Sequence, residues 1–231
     1  MAKVNSLITL NGTYGGITFV KSAKYGDHIR APRGTHKKAV LNPAWKRQSK
    51  RTLRANGPAQ IFQNAIRPYH KDFYDGSMWS RFLSHVLQHL GDEQSFDFST
   101  LKPFEIHKGY PLHRFFNLQT NTRVAADRSV LDVEVSYDTH PIFDKSLSID
   151  GYQLQIIGIF PDQKKKSAHT GMVSSVIIRL QGNTEPLKMQ IPLPPKAKTF
   201  LVCVRIDGCA KGKPYGALAA KGMKMVEAGK I

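Results

Sequence analysis

The feature that most constrains the fold is an alternation of apolar and polar residues with a period of two, beginning at Val130. From Leu131 to Tyr137 every odd-numbered residue is apolar and every residue between them is polar. Similar runs follow at 152–156, 176–180, 187–193 and 200–206, separated by turn-rich segments. Because this period puts successive side chains on opposite faces of a strand, the pattern predicts an antiparallel β-sandwich. We expect an immunoglobulin- or fibronectin-like sandwich over residues 129–231, ending in a basic C-terminal segment that is a tail or an edge strand.

The runs do not account for every strand that such a sandwich needs. Residues 115–118, 146–149 and 222–226 are the candidates for the remaining strands. Residues 161–171 form a turn-rich gap containing Lys164, Lys165 and Lys166, which predicts a solvated hairpin tip. The Cys…Trp…Cys signature of antibody domains is absent.

A helical segment is predicted over residues 42–91. Asn42 and Pro43 suit the N-cap and first position of a helix that should end at Asn56-Gly57-Pro58. A second helix is predicted from Pro58 to Ile66. The third is predicted from a Ser77 cap to a Gly91 stop, with apolar residues at helical spacing that indicate a core face. Residues 92–128 are irregular, first acidic and then aromatic, and are predicted to connect the helices to the sandwich.

The N-terminal part of the chain is strongly basic. Residues 9–54 contain 11 Lys and Arg against one acid, Asp27, in a chain whose net charge is +17. Their apolar residues come in short pieces that cannot form a core. Asn11-Gly12 lies between apolar runs and predicts a β-hairpin. Residues 1–41 are therefore predicted to be an extended basic β arm that lies on another surface, and the whole chain an α+β fold that is mainly β.

The basic stretch also resembles a known family. The resemblance rests on a Gly-rich hairpin (GTYGGITFV), a Tyr-Gly before Ile-Arg (YGDHIR), a basic turn, and Asn-Pro with Gln and Arg downstream (NPAWKRQSKR). This order resembles an uncharacterised family with members in Bacteroidetes and related phage-like loci. The similarity covers chiefly residues 9–52 and is carried best by Asn42, Pro43, Gln48 and Arg51. It implies helices after the arm, a sandwich-like C-terminal half and a component of a repeated assembly.

No catalytic motif stands out. His85 and His89 have the i,i+4 spacing that can chelate a metal, but no third ligand is evident, so two rim histidines are expected. Cys203 and Cys209 are expected to be reduced thiols, with Cys209 in a turn after Asp207-Gly208. The acids near His140 follow the polar face of a strand, and the glycines after Tyr14 lack the Gly-Lys-Ser/Thr ending of a phosphate loop. We expect no enzyme activity, no cofactor and no small-molecule substrate.

Two functions remain open. The first is a structural subunit of a multi-copy assembly, such as a phage, a phage-like particle or a filament, in which the basic arm contacts neighbouring subunits. Its arm contacts are predicted at Tyr14, Ile17, Phe19, Tyr25, Ile29 and Trp45. The alternative is sequence-nonspecific nucleic-acid binding through the basic arm and helix. Contacts to phosphates, or to an acidic partner, are predicted at Arg30, Arg33, Lys37, Lys38, Lys46, Arg47, Lys50, Arg51 and Arg54.

Partners and location follow from the same features. A homo-oligomer or a multi-protein assembly is expected, with nucleic acid as the alternative partner. The N-terminus has no apolar run of signal-peptide length, and no run reaches the roughly 20 residues that span a bilayer. The sequence therefore predicts cytoplasmic synthesis without a signal peptide, and leaves open incorporation into a virion-like or extracellular assembly.

Overall fold

The chain forms two compact units, Met1–Arg47 and Gln48–Ile231, in the computed structural model. The structure describes residues 2–3, 12–22, 26–31, 42–91, 95–182 and 184–231. The predicted α+β fold, mainly β, is confirmed.

The first unit contains a four-stranded antiparallel sheet, the arm sheet. Its strands are β1 (Ala2–Lys3), β2 (Gly12–Tyr14), β3 (Ile17–Val20) and β4 (His28–Arg30). Their order across the sheet is β1-β4-β3-β2.

The described part of the arm contains a hairpin, and Gly12 of the predicted turn lies in one of its strands. The run at 7–10, which was predicted to form the first strand, lies outside the described residues. Tyr14 of β2 pairs with Ile17 of β3, so Gly15 and Gly16 form a two-residue turn. Both glycines have positive φ, 56° and 78°, as a type I′ turn requires. Asn11 lies outside the described residues, whereas Gly12 belongs to β2.

The first two predicted helices are one continuous helix, α1 (Pro43–Ile66), with Pro58 inside it. The predicted break at Asn56-Gly57-Pro58 is wrong. The residue before a proline usually avoids helical geometry because its Cβ clashes with the proline ring, and Gly57 has no Cβ. Gly57 also lacks the positive φ of a helix-ending glycine. Ala55, Pro58 and Ala59 are buried, so packing holds the helix together across the proline.

The predicted end of the second helix at Ile66 is correct, and the third helix is present. The predicted stop at Gly91 is wrong, because the third helix ends at Gln88 and Gly91 lacks a positive φ. Short 3₁₀ turns at Arg67–Tyr69 and Lys71–Phe73 follow α1, and α2 (Met78–Gln88) comes next. Met78, Phe82 and Val86 form the buried ridge of α2, as the spacing predicts. Ser77 precedes α2, but its hydroxyl donates to Asp75 instead of capping the helix.

The rest of the second unit is formed by two antiparallel sheets. The strands of the large sheet are β5 (Phe104–Glu105), β8 (Gly151–Asp162), β9 (Ser167–Ser174), β10 (Ile178–Arg179), β12 (Thr199–Ala210), β13 (Lys213–Pro214) and β14 (Lys221–Lys230). Their order is β10-β8-β12-β14-β5, and in addition β9 pairs with β8 and β13 pairs with β12. The small sheet, in the order β11-β7-β6, comprises β6 (Gln119–Val124), β7 (Val130–Ser136) and β11 (Leu187–Pro192).

The two faces of β12 belong to different cores. Val202 and Val204 pack with the inward residues of the small sheet, such as Val133. Leu201 and Cys203 pack with the buried faces of α1 and α2. The large sheet is therefore the middle layer, with the small sheet on one side and the helices on the other. Because both faces are covered, β12 is buried at nearly every position.

The positions of the observed strands correct several strand and loop predictions. The gap predicted at 161–171 contains most of β9, whereas the run at 176–180 contributes only the short β10. Residues 115–118 and 146–149 form no strand, but 222–226 lie within β14. The C-terminus is thus a ten-residue strand of the large sheet rather than a tail.

Candidate interaction surfaces

The register of the arm sheet collects four of its apolar side chains on one face, which we call the arm face. Tyr14 pairs with Ile17, and Phe19 pairs with Ile29. Directly paired residues share a face, and so do residues two apart on one strand. Tyr14, Ile17, Phe19 and Ile29 therefore lie together. These are four of the six residues predicted to make arm contacts.

The opposite face of the arm sheet is more polar. Thr13 pairs with Thr18, and their hydroxyl oxygens are 2.9 Å apart. Thr18 also pairs with Arg30, so the guanidinium of Arg30 belongs to this polar face. Val20, which pairs with His28, also lies on this face. The two faces therefore differ in polarity, but the polar face is not wholly polar.

The arm face is open to solvent at its hairpin end. Tyr14 is 85% exposed and Ile17 is 43% exposed, whereas Phe19 and Ile29 are partly buried. Among the described residues 12–22, 26–31 and 42–47, His28 is the one buried side chain, and no apolar residue is buried. An apolar face without a core beneath it is typical of a surface that binds a partner.

Trp45, the fifth predicted contact, lies in the first turn of α1 and is 67% exposed. Its backbone N–H donates to the Asn42 side chain at 2.8 Å, which confirms Asn42 as the helix cap. Tyr25, Arg33, Lys37 and Lys38 lie outside the described residues.

The cationic residues of α1 fall into two groups. Lys46, Arg47 and Lys50 are exposed, and the helix contains no acidic residue. Arg51 and Arg54, by contrast, donate to the carbonyl oxygens of Leu87 and Gly91 at 3.3 and 3.0 Å. Leu87 is in the last turn of α2, where carbonyl groups lack helical partners and the helix dipole favours cations. Two of the predicted phosphate contacts therefore stabilise the end of α2.

His85 and His89, the candidate metal ligands, gain no third ligand among the residues that the structure describes. His85 and His89 have ring centroids 4.7 Å apart, and each makes a hydrogen bond to a backbone carbonyl. No group of three or more His, Cys, Asp or Glu is arranged to hold a metal ion in the described part of the chain. Cys203 and Cys209 are free, buried thiols, and burial raises the pKa of both. Cys209 lies within β12 rather than in a turn, which corrects that prediction.

A buried ion cluster that was not predicted from the sequence lies beneath the helices. Arg205 and Asp207 of β12 and Lys221 of β14 are all buried. Arg205 bonds both oxygens of Asp207 at 2.8 and 2.7 Å and both oxygens of Asp72 at 2.9 and 2.8 Å. It also donates to the carbonyl of Tyr69, and Lys221 donates to Asp72. The only signal in the sequence is a pair of opposite charges two residues apart in an otherwise apolar run.

Arg205, at the centre of the ion cluster, has no free donor. The five N–H groups of Arg205 all have acceptors, which leaves none to bind a substrate. Burial alone would raise the pKa of Asp72, but the bonds from Arg205 and Lys221 hold that pKa well below its usual range. The cluster therefore joins the turns after α1 to the large sheet and has a structural role.

No family model matches the chain, and no curated protein is significantly similar to it. Within the described residues, no helix combines the length and the apolar character needed to cross a membrane.

Proposed function

We propose that the chain is a non-enzymatic structural subunit of a multi-copy assembly, and that its arm face binds neighbouring subunits. The observation that carries the proposal is the arm face, where Tyr14, Ile17, Phe19 and Ile29 lie together and which is open to solvent at Tyr14 and Ile17. Burying a large apolar side chain contributes about 1.5–3 kcal/mol, so even a few such residues make a useful contact. A repeated assembly, in which every copy provides the same contact, multiplies that contribution.

The rest of the structure supports an assembly role. The second unit has two well-packed cores and a buried ion cluster, features typical of a rigid body. The charge of the chain, +17, fits contacts with acidic patches on adjacent copies or with enclosed nucleic acid. The resemblance of residues 9–52 to a family with an arm and a sandwich-like half also favours an assembly role.

Light scattering on the full chain tests the proposal. The double variant Tyr14→Ser, Ile17→Ser removes the exposed part of the arm face while leaving the Gly15-Gly16 turn intact. Ile142→Ser is a suitable control, because Ile142 lies in a loop of the second unit and is 77% exposed. We expect wild type and the control to form large species of equal mass and the double variant to be smaller. Equal masses for all three proteins would refute the role of the arm face.

Nucleic-acid binding is a second candidate, favoured by a specific observation: α1 presents Lys46, Arg47 and Lys50 to solvent and has no acidic residue. Phosphate contacts release counterions, so binding to duplex DNA should weaken steeply with salt. About three such contacts predict a slope near −3 for log K against log salt concentration. A flat salt response would rule this function out.

A further inference from the structure

Strand β9 has an open edge along its whole length. All eight of its residues pair with β8 on one side. No other strand pairs with its second side in the part of the chain that the structure describes. Alternate residues of an antiparallel strand direct their N–H and C=O groups outward, so this edge presents a row of backbone donors and acceptors.

The edge of β9 lacks the usual protection against pairing. Proteins place charges, especially lysine, and proline on exposed edges to prevent association. The other long edge strands in the described part of the chain contain such residues. Strand β6 contains Arg123, β11 contains Lys188 and Pro192, and the end of β14 contains Glu227 and Lys230. By contrast, residues 167–178 contain no Lys, Arg, Asp, Glu or Pro.

Apolar side chains extend this neutral edge. Met172 is 47% exposed, and Val176 and Ile177, just beyond the strand, are 80% and 39% exposed. Neutral, β-prone segments with exposed apolar residues pair readily with other strands. The edge therefore provides both backbone pairing and apolar contact.

The edge is held in place by contacts on several sides. The Tyr69 hydroxyl donates to Thr170 at 3.0 Å, and Ser175 exchanges hydrogen bonds with the backbone of Leu154. Before the strand, the Asp162 side chain accepts the N–H groups of Lys164 and Lys165. A preformed edge loses little conformational entropy on binding, which favours association.

The charges around β9 indicate which partner fits. A neutral strand offers no counter-charge to a basic or an acidic segment, but it is compatible with a second copy of itself. Lys164, Lys165 and Lys166 precede the strand. Antiparallel pairing of two copies would place these lysine turns at opposite ends, about 26 Å apart at 3.3 Å per residue, well beyond the Debye length. Parallel pairing would bring them side by side.

We propose that two copies of the chain join through their β9 strands, paired antiparallel about a two-fold axis near Thr170 and Gly171, so that the large sheet continues across the dimer. Such an isologous contact is the commonest way in which identical subunits associate. This interface deepens the proposed assembly function and rests on it.

Hydrogen exchange on the full chain tests the interface directly. We expect those amides of Ser167–Ser174 that point away from β8, which are every second one, to become at least tenfold more protected when the protein is concentrated from well below to well above its association midpoint. The amides of β12, which are already paired on both sides, should not change. Unchanged exchange in β9, in a sample whose mass increases, would overturn the interface and show that the copies associate elsewhere.

A matched pair of variants gives a second test. Met172→Lys places two like charges close to the axis, whereas Ile142→Lys makes the same kind of change in a loop. We expect Met172→Lys to raise the dimer dissociation constant at least tenfold, because the dimer loses two apolar contacts and gains two like charges, and Ile142→Lys to leave it unchanged. Near-UV circular dichroism verifies that both variants fold. An equal dissociation constant in both variants would contradict the proposal.

The two proposals fail in different ways. If only the Tyr14→Ser, Ile17→Ser variant lowers the mass, the arm function stands and the β9 interface falls. If only Met172→Lys does so, the β9 interface stands and the arm function falls. A full chain that stays monomeric at every concentration overturns both.

Discussion

Arg205 of β12 and Asp72 of the turn after α1 form a bidentate ion pair, with N–O distances of 2.9 and 2.8 Å, across the boundary between the large sheet and the helical layer. Arg205 bonds Asp207 in the same way on its other side. One guanidinium thus satisfies two carboxylates from different layers, which fixes the position of the turn over the sheet.

We expect Arg205→Leu to destabilise the second unit by about 3–5 kcal/mol, because it leaves the buried carboxylate of Asp207 without its main partner. Urea unfolding measures the effect. Arg123→Leu, which changes an exposed arginine of β6, is the control and should stay within about 0.5 kcal/mol of wild type. A loss below about 1 kcal/mol for Arg205→Leu would show that the ion cluster is unimportant for stability.

His70 should make the stability depend on pH. Its ring is buried, and neither ring nitrogen bonds another described residue. Burial lowers the pKa of His70, and the charges of Arg205 and Arg67 lower it further. The unfolded chain therefore binds more protons below about pH 6.5, and stability falls as the pH drops from that value through the folded-state pKa.

His70→Phe should remove this component, so we expect a shallower loss of stability between pH 6.5 and 5 than in wild type. Some loss should remain, because burial also lowers the pKa of His85 and His107. Urea midpoints measured across this range test the prediction. Parallel curves for the two proteins would mean that His70 does not titrate between the folded and unfolded states.

Gly171 allows β9 to lie close to the small sheet. A Cβ at this position would be 2.8 Å from Cγ2 of Ile191, closer than side chains tolerate. Gly171→Ala should cost about 1–3 kcal/mol through overpacking. Gly216→Ala, where a Cβ would have no neighbour within 4 Å, is the matched control and should be nearly neutral. Equal thermal midpoints for the two variants would contradict the close packing.

The cationic residues of α1 should differ in their effects on folding stability and on DNA binding. Arg51→Ala removes the bond to the Leu87 carbonyl, so we expect a loss of about 0.5–1 kcal/mol in the free energy of unfolding. Lys50→Ala should leave stability unchanged but, if the chain binds duplex DNA, reduce the salt slope by about 0.9. Unfolding and salt titrations of both variants test this division. An equal effect of the two substitutions on stability would contradict the capping role.

The sequence predicted the elements whose side-chain period is strong. The alternation at 131–137 and the ridge of α2 were identified because each buries one face. Strand β9 was missed because its sequence has no regular alternation of apolar and polar residues, contains Gly171 and follows three lysines. The break in α1 was predicted because a proline inside a helix is unusual, and only the packing of its neighbours shows why the helix continues.

The candidate surfaces were predicted only in part. The residue types of the arm face were evident from the sequence, but their common face depends on the register set by the Gly15-Gly16 turn. The ion cluster could not be predicted, because Asp72 and Arg205 are 133 residues apart in the chain. Likewise, which cations of α1 are exposed and which bond the end of α2 depends on where α2 ends in the structure.

The mass of the purified full chain, measured by light scattering with absorbance at 260 and 280 nm before and after nuclease treatment, tests the central claim most directly. The proposed assembly predicts a species much heavier than the 25.9 kDa chain that grows with protein concentration and survives nuclease. A 25.9 kDa species at every concentration, with or without bound polynucleotide, would contradict it.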